Sequence, residues 1–131
     1  WEKSYNERTD NPKSLADKVL ISEKKIIQIS AKEIPLESKN VEIGEFLGII
    51  KFSTNASKII IKKYEELEKS HNGKFHDANS LAKAKLVDIL QELIDSKIDI
   101  SPLVINGKWC EIDTPKDLER ARKIFQDIDI E

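Results

Sequence analysis

Asp113 is the residue of this sequence whose type and position best suit metal chemistry. It lies between a short strand predicted at Trp109 to Ile112 and a helix that begins at Thr114-Pro115. In open α/β folds, ligands collect at the carboxyl ends of strands, and a carboxylate there can hold Mg²⁺ against a phosphate because hard cations prefer oxygen. The plainer interpretation is that Asp113 supports the helix cap and the helix dipole, as acidic residues do at many helix starts. The residues alone leave both roles open.

Arg8 and Glu45 are two further charged residues that have both a chemical and a plainer interpretation. Arg8, beside acidic neighbours, can bind an anion or can be a solvated surface charge, which is the commoner state of arginine. Glu45 lies between Gly44 and Gly48 in an apolar run, and glycines in a strand mark bulges or close backbone approach. Its carboxylate can face the amine of a ligand, although the strand pattern alone favours an orientation toward water.

Two histidines flank one predicted loop. His71 and His76 lie on either side of Gly73, and Asp77 follows the second histidine. Imidazole and carboxylate groups are both zinc ligands, so these side chains form a metal hypothesis. Solvated loop histidines are the commoner finding, and no third strong ligand shares the spacing of these two.

Hydrophobic patterning predicts the strands that would position these side chains. Two β-rich runs separated by Glu23-Lys24 predict a hairpin, although the turn lacks its preferred Gly or Asn. Asn106-Gly107 predicts a second turn. Pro102 lies within the strand predicted before this turn and can shorten that strand to its second half. The predicted strands cover residues 18–22, 25–29, 41–52, 98–105 and 109–112.

Two helices are predicted in the middle of the chain from apolar residues at helical spacing. Ser53 caps the first, and Gly73 suits a left-handed termination of it. Asn79 or Ser80 caps the second, whose apolar stripe is wide enough to pack on two neighbours or against a sheet, and Ser96-Lys97 closes it.

A third helix is predicted near the end of the sequence. Thr114 is its N-cap, Pro115 occupies its first position and Asp117 follows three residues after the cap. The element order is then hairpin, strand, two helices, two strands and a helix. This order predicts an α/β or α+β layered domain.

The composition describes a soluble globular domain. The 131 residues are enough for one core, with 35% charged and 39% hydrophobic residues. The 22 basic and 24 acidic side chains give a net charge of -2, so nucleic acid is not a favoured partner. The single Cys110 excludes an internal disulfide and a cysteine-rich zinc site. No apolar run approaches the roughly 20 residues that span a bilayer and no leader is visible, so a cytoplasmic protein without a membrane partner is expected.

Several catalytic motifs are absent from the sequence. It contains no Gly-rich phosphate loop, no G-x-S-x-G and no Cys/His pair with catalytic spacing, so its own residues form no complete active site. It begins at Trp1 and contains no Met. We therefore expect that it can be a fragment, a processed product or one piece of a longer chain.

Residues 107–121, GKWCEIDTPKDLERA, resemble the C-terminal signature of nucleotidyltransferases of the sugar-nucleotide and cytidylyltransferase type. The pattern of that family is a Trp, one residue, Glu-Ile-Asp, then Asp-Leu and an Ala. Residues 43–49 resemble the central strand of the family and residues 85–94 its penultimate long helix. Residues 1–18 resemble the segment after its metal-binding Asp-x-Asp. The most similar branch acts on 2-aminoethylphosphonate, followed by the phosphocholine enzymes.

The resemblance implies a fold and a set of roles. The fold would be α/β, the C-terminal part of a Rossmann-like, GT-A-like nucleotidyltransferase domain with a mixed sheet and flanking helices. Residues 1–131 would be the acceptor-side part, and the N-terminal nucleotide-binding part is absent. Asp113 would be a catalytic metal ligand, Glu45 a residue near the acceptor, and Arg8 and Lys18 anion contacts in the substrate site. Lys85 stands where the family pattern has a Tyr, so this position of the helix departs from the pattern.

The implied reaction moves a cytidylyl group from CTP to a phosphonate or phosphate acceptor and releases pyrophosphate, with Mg²⁺ as cofactor. The fragment alone would be inactive. The expected partners are CTP, a small acceptor such as 2-aminoethylphosphonate or phosphocholine, the missing N-terminal half of the same enzyme and, in a homodimer, a second copy. Two alternatives are a sugar-1-phosphate nucleotidyltransferase and a non-catalytic interaction module that has lost the nucleotide half.

Overall fold

The computed structural model describes residues 1–6, 8, 12–32, 40–105 and 109–126. The chain divides into two compact units. We call residues 14–102 the sheet unit, and residues 1–13 together with 103–131 the terminal unit. The elements are strands β1 (Lys18–Ser22), β2 (Lys25–Ser30) and β3 (Glu42–Glu45), helices α1 (Thr54–Ser70), α2 (Leu86–Asp95) and α3 (Pro115–Ile124), and short 3-10 turns at Glu2–Tyr5, Lys13–Leu15 and Leu81–Lys83.

The described strands form an antiparallel sheet in the order β2-β1-β3. The predicted hairpin is confirmed, and Glu23 and Lys24 both adopt positive φ, of 48° and 63°. Two consecutive left-handed residues match the twist of the flanking strands, which explains how the hairpin forms without Gly or Asn. The sheet expected from the family resemblance was mixed, whereas the described strands pair antiparallel throughout.

The strand predicted over residues 41–52 is wrong beyond Glu45. Gly44 lies in β3 because its backbone approaches β1 closely: a Cβ at this position would lie 3.2 Å from Val19 Cγ2. One further ladder bond follows, from the Phe46 N–H to the Asp17 carbonyl at 2.8 Å. Gly48 then adopts φ +74°, which turns the chain out of the sheet.

Helix α2 covers the sheet and supplies three of the five side chains of the buried cluster. Its apolar face packs three buried side chains against the interior of β1 and β2, as the wide stripe predicted. Ser96 ends the helix and Lys97 takes a left-handed conformation, so the predicted closure is confirmed. The buried cluster consists of Val19, Ile29, Val87, Leu90 and Leu93.

The predicted start of α2 is wrong by several residues. Ser80 precedes only the short 3-10 turn, and α2 begins after Lys85. The cause is a capping bond that the sequence pattern did not reveal, from the Lys85 N–H to the Asp88 carboxylate at 2.7 Å.

Helix α1 forms where it was predicted but remains near the surface. Ser53 caps it by accepting a hydrogen bond from the Ala56 N–H at 3.1 Å. None of the 17 residues of α1, all described, is buried. The helix ends in an extended residue, His71, so the left-handed termination assigned to Gly73 is wrong, although Gly73 does adopt φ +91° nearby.

The last two predicted strands do not form. Residues 98–105 and 109–112 are irregular, although the Ile26 N–H donates to the Ile100 carbonyl at 2.8 Å. Pro102 has no N–H to extend this pairing. The turn predicted at Asn106-Gly107 lies outside the described residues.

In the described part of the chain, no helix combines the length and the apolar character that crossing a membrane requires.

Candidate functional site

The start of α3 is fixed by a reciprocal capping arrangement. The Asp117 N–H donates to Thr114 Oγ1 at 3.2 Å, and the Thr114 N–H donates to Asp117 Oδ2 at 3.1 Å. The Asp113 N–H reaches the same carboxylate oxygen at 3.3 Å. The predicted cap is therefore confirmed, and the backbone that carries Asp113 is held by Asp117 rather than by a preceding strand.

Arg8 lies inside a group of three carboxylates, which we call the carboxylate cage: Arg8, Glu111, Asp113 and Asp117. Its Nη1 lies 3.1 Å from Glu111 Oε2, its Nη2 3.2 Å from Asp113 Oδ2 and its Nε 3.2 Å from Asp117 Oδ1. The guanidinium also stands over the Tyr5 ring, 5.3 Å from its centroid. Each nitrogen thus faces a different acid, which is the fork geometry that suits arginine.

The cage is closed on one side and open on the other. The Arg8 side chain is 4% exposed and that of Asp117 8%, whereas Glu111 and Asp113 are 48% and 46% exposed. Arg120 closes the inner side, since it lies 3.3 Å from Asp117 and donates to the Ser4 carbonyl at 3.0 Å. Glu111 and Asp113 therefore expose their carboxylates to solvent, and the Arg8 guanidinium contacts both from the buried side.

The charges of the cage reinforce one another. Burial disfavours the charge on Arg8, but hydrogen bonding to Glu111 and the charge of Asp117 outweigh burial and raise the pKa of the guanidinium. Burial likewise opposes ionisation of the acid, but hydrogen bonds from Thr114 and the Asp113 backbone hold the pKa of the Asp117 carboxyl below its ordinary value. Arg8 and Asp117 are accordingly both charged throughout the neutral range.

The donor set of the open face fits Mg²⁺. Hard divalent ions take carboxylate oxygens, and Mg²⁺ is commonly held by one or two carboxylates, several waters and the phosphates of a substrate. Glu111 and Asp113 supply two such groups, half exposed and pre-oriented by one guanidinium. Glu111 was not singled out from the sequence, although its position two residues before Asp113 was a usable signal.

The other substrate-site residues predicted with Asp113 fall into both units. Arg8 does join Asp113, but its described ion-pair partners are carboxylates, and anion binding by it stays a prediction. Lys18 and Glu45 lie in the sheet unit, directly opposite each other across β1 and β3. Lys18 is buried and its Nζ donates to the Ala16 carbonyl at 3.2 Å. The substrate roles of Lys18 and Glu45 also stay predictions.

The structure separates the three side chains of the histidine-based metal hypothesis, His71, His76 and Asp77. His71 Nε2 lies 2.8 Å from the Lys74 carbonyl oxygen, and its ring packs edge-on against Phe75. Asp77 binds Ser30 and Lys32 instead. These two side chains therefore have separate partners and do not form the metal group that was predicted with His76.

This chain is similar to CTP:phosphoglutamine cytidylyltransferase of Campylobacter jejuni, to which it is 28% identical over 119 residues. The matched region covers 91% of this chain and 45% of that enzyme, so the chain spans about half the length of the curated relative it matches. No family model matches the chain. No solved structure matches it significantly. The similarity supports a relationship of the cytidylyltransferase type.

Proposed function

We propose that this chain is the acceptor-side part of a cytidylyltransferase, which transfers a cytidylyl group from CTP to a small phosphorus-containing acceptor. The observation that carries the proposal is the open face of the carboxylate cage, where Arg8 presents Glu111 and Asp113 together. The similarity to a CTP-dependent enzyme supports the same assignment. The nucleotide-binding part would be supplied by a segment of the protein that this chain does not contain.

The transfer needs alignment and charge neutralisation more than covalent catalysis. An oxygen of the acceptor forms a bond to the α-phosphorus of CTP, the bond from that phosphorus to the bridging oxygen breaks, and pyrophosphate leaves with the electron pair. Bound Mg²⁺ would neutralise negative charge on the phosphates. In this chain Asp113 and Glu111 would hold the ion, and Arg8 would keep both carboxylates oriented.

The acceptor is proposed by class. The relative is named for phosphoglutamine, and the family resemblance pointed to 2-aminoethylphosphonate and phosphocholine. All three compounds join a phosphorus oxyanion to a nitrogen-containing organic part. Glu45 is our candidate to meet that nitrogen-containing part, because its carboxylate lies half-buried at the end of β3.

The test is pyrophosphate release by the full-length protein. CTP, UTP and dTTP are each combined with phosphoglutamine, 2-aminoethylphosphonate, phosphocholine and sugar 1-phosphates, with Mg²⁺ and with EDTA. We expect Mg²⁺-dependent turnover with CTP and a nitrogen-containing acceptor. Turnover only with UTP or dTTP and a sugar 1-phosphate would establish the alternative transferase, and no turnover with any pair would support a non-catalytic module.

A matched pair of variants tests the role of Asp113. Asp113→Ala should abolish turnover while the circular dichroism spectrum stays unchanged, because the lost carboxylate is half exposed. Glu119→Ala removes an exposed acid on α3, outside the cage, and should keep normal activity. Near-normal turnover by Asp113→Ala would contradict the proposed role.

A further inference from the structure

A second group of potential ligands lies in the sheet unit, outside the cage. We call His76, Glu92 and Asp95 the His76 cluster; one ligand atom from each residue lies within 4.8 Å of the others. His76 Nε2 is 3.0 Å from Glu92 Oε2, and His76 Nδ1 is 3.9 Å from Asp95 Oδ2. We propose that this cluster binds a divalent transition-metal ion of the Zn²⁺ class.

The fold holds the imidazole in place through a tight loop. Phe75 and Ala78 exchange both backbone hydrogen bonds, at 3.0 and 2.9 Å, and the Phe75 ring is buried. His76 adopts φ +47° within this loop, and its ring stacks edge-on to Phe75 at 4.6 Å between centroids. The Asp77 N–H ties the loop to α2 by donating to Asp88 at 2.9 Å. The backbone of this loop therefore fixes the position of the imidazole beside α2.

The two carboxylates come from one face of α2. Residues three apart on a helix are neighbours on its surface, so Glu92 and Asp95 both reach His76. Glu92 is 19% exposed and His76 20%, while Asp95 is 56% exposed, which leaves one side open for water ligands or a small ligand. Asp95 is oriented by Gln91, whose Nε2 donates to Asp95 Oδ1 at 2.8 Å.

The donor chemistry selects the ion. One imidazole and two carboxylates are three protein ligands, the number that zinc takes in catalytic sites, and each is a ligand type that zinc accepts. Ligand atoms bound to zinc at 2.0–2.1 Å in a tetrahedral shell are separated by about 3.3 Å, so the 3.0 Å between His76 Nε2 and Glu92 Oε2 needs little change. Asp95 lies nearer His76 Nδ1, at 3.9 Å, and its carboxylate would move toward Nε2 to share the ion. Imidazole favours Zn²⁺ over Mg²⁺, which distinguishes this cluster from the all-oxygen face of the cage.

Lys63 provides an internal competitor. Its Nζ lies 2.8 Å from Glu92 Oε1, the oxygen that does not face His76. The positive charge of Lys63 opposes a second cation on the same carboxylate. If the cluster is only a network of ion pairs, removing Lys63 takes away one of its ion pairs and gives no metal binding. If the cluster binds a metal ion, removing Lys63 should raise the affinity for that ion.

The test is titration of the metal-free full-length protein with Co²⁺, a visible reporter for zinc sites, and with Zn²⁺ in a calorimeter. Excess Mg²⁺ is present to saturate sites made only of oxygen. We expect one Co²⁺ to bind with a visible absorption band. His76→Gln should remove the band. Asp95→Asn should lower the affinity by at least about tenfold, since loss of a residue that only supports a ligand already costs about that much, and Lys63→Met should raise the affinity.

His71→Gln is the matched control, because His71 lies in the same region but outside the cluster, and it should bind the metal as the wild type does. Circular dichroism verifies that each variant folds, and Glu92→Gln replaces His76→Gln if the latter does not. Absence of stoichiometric binding by the wild type, or equal binding by the wild type and a folded variant lacking a ligand, would overturn the proposal.

Discussion

The carboxylate cage and the His76 cluster are two groups of charged side chains built on opposite plans. In the cage a buried guanidinium holds three acids, and Arg8 is 103 residues from Glu111 in sequence. In the His76 cluster an imidazole meets two acids on one helix, and His76 is 16 residues from Glu92. The first plan leaves only oxygen toward solvent, whereas the second offers nitrogen and oxygen together. The two groups therefore suit different cations, and the cage depends far more on residues that are distant in sequence.

Removing Arg8 should have the largest effect on stability. Arg8→Met removes the cation that the three acids share and leaves Asp117 with Arg120 alone, and we expect a loss of about 2 kcal/mol in the free energy of unfolding. Urea denaturation followed by tryptophan fluorescence measures this, because Trp1 and Trp109 both lie in the terminal unit.

Two further variants sharpen that result. Arg8→Lys keeps the charge but not the fork, so it should recover only part of the stability. Arg122→Met, the same substitution at an exposed position on α3, should change little. Equal stability of Arg8→Met and Arg122→Met would show that the cage does not stabilise the terminal unit.

The two capped helices allow a smaller comparison. Thr114 and Ser53 each accept a capping hydrogen bond, but Thr114 also donates to Asp117 at 2.9 Å. We expect Thr114→Ala to lower the free energy of unfolding by about 1 kcal/mol, and Ser53→Ala to lower it less because that cap is exposed. Thermal unfolding of both variants by circular dichroism measures the difference, and Thr114→Ser should restore the wild-type value. A larger effect at Ser53 would contradict the importance of the reciprocal cap.

The pKa of Asp17 in the sheet unit is raised, whereas that of Asp117 in the cage is lowered. Burial, with a smaller contribution from neighbouring Asp88, raises the pKa of the Asp17 carboxyl even though Lys85 opposes this. The folded protein then binds this proton more tightly than the unfolded chain, so ionised Asp17 lowers stability at neutral pH and this loss disappears below about pH 4.

Asp17→Asn should therefore raise the free energy of unfolding at pH 7, by less than about 1 kcal/mol for a partly exposed group. The gain should shrink as the pH is lowered to 4 and vanish below the ordinary Asp pKa of about 3.9. Denaturation at both pH values measures it, with Glu65→Gln on α1 as an exposed control for the change in net charge. A gain independent of pH would exclude ionisation of Asp17 as the cause.

Local chemistry was predictable from the sequence, and long-range pairing was not. The caps at Ser53 and Thr114 and the hairpin depend on residues within a few positions of one another, so their signals lie in short stretches. The strands predicted over 98–105 and 109–112 require partners that apolar runs cannot identify, and neither forms.

The candidate site shows the same limit. Asp113 was identified by its place before a helix start, but its contact with Arg8 spans 105 residues and has no periodic signature. His76 was noticed in the sequence with the wrong companions, because a loop and a helix face bring Glu92 and Asp95 to it.

The wide sequence separation of Arg8 from its acids has a consequence for biosynthesis. Residues 14–102 contain the three strands of the described sheet, α2 and the buried cluster between them, so that unit can assemble while the ribosome is still translating. The Arg8 side chain stays hydrated until Glu111 and Asp113 have been synthesised. Closing so long a loop then slows the formation of these ion pairs further. We expect the part of the protein proposed to hold the nucleotide's metal to be the last to mature.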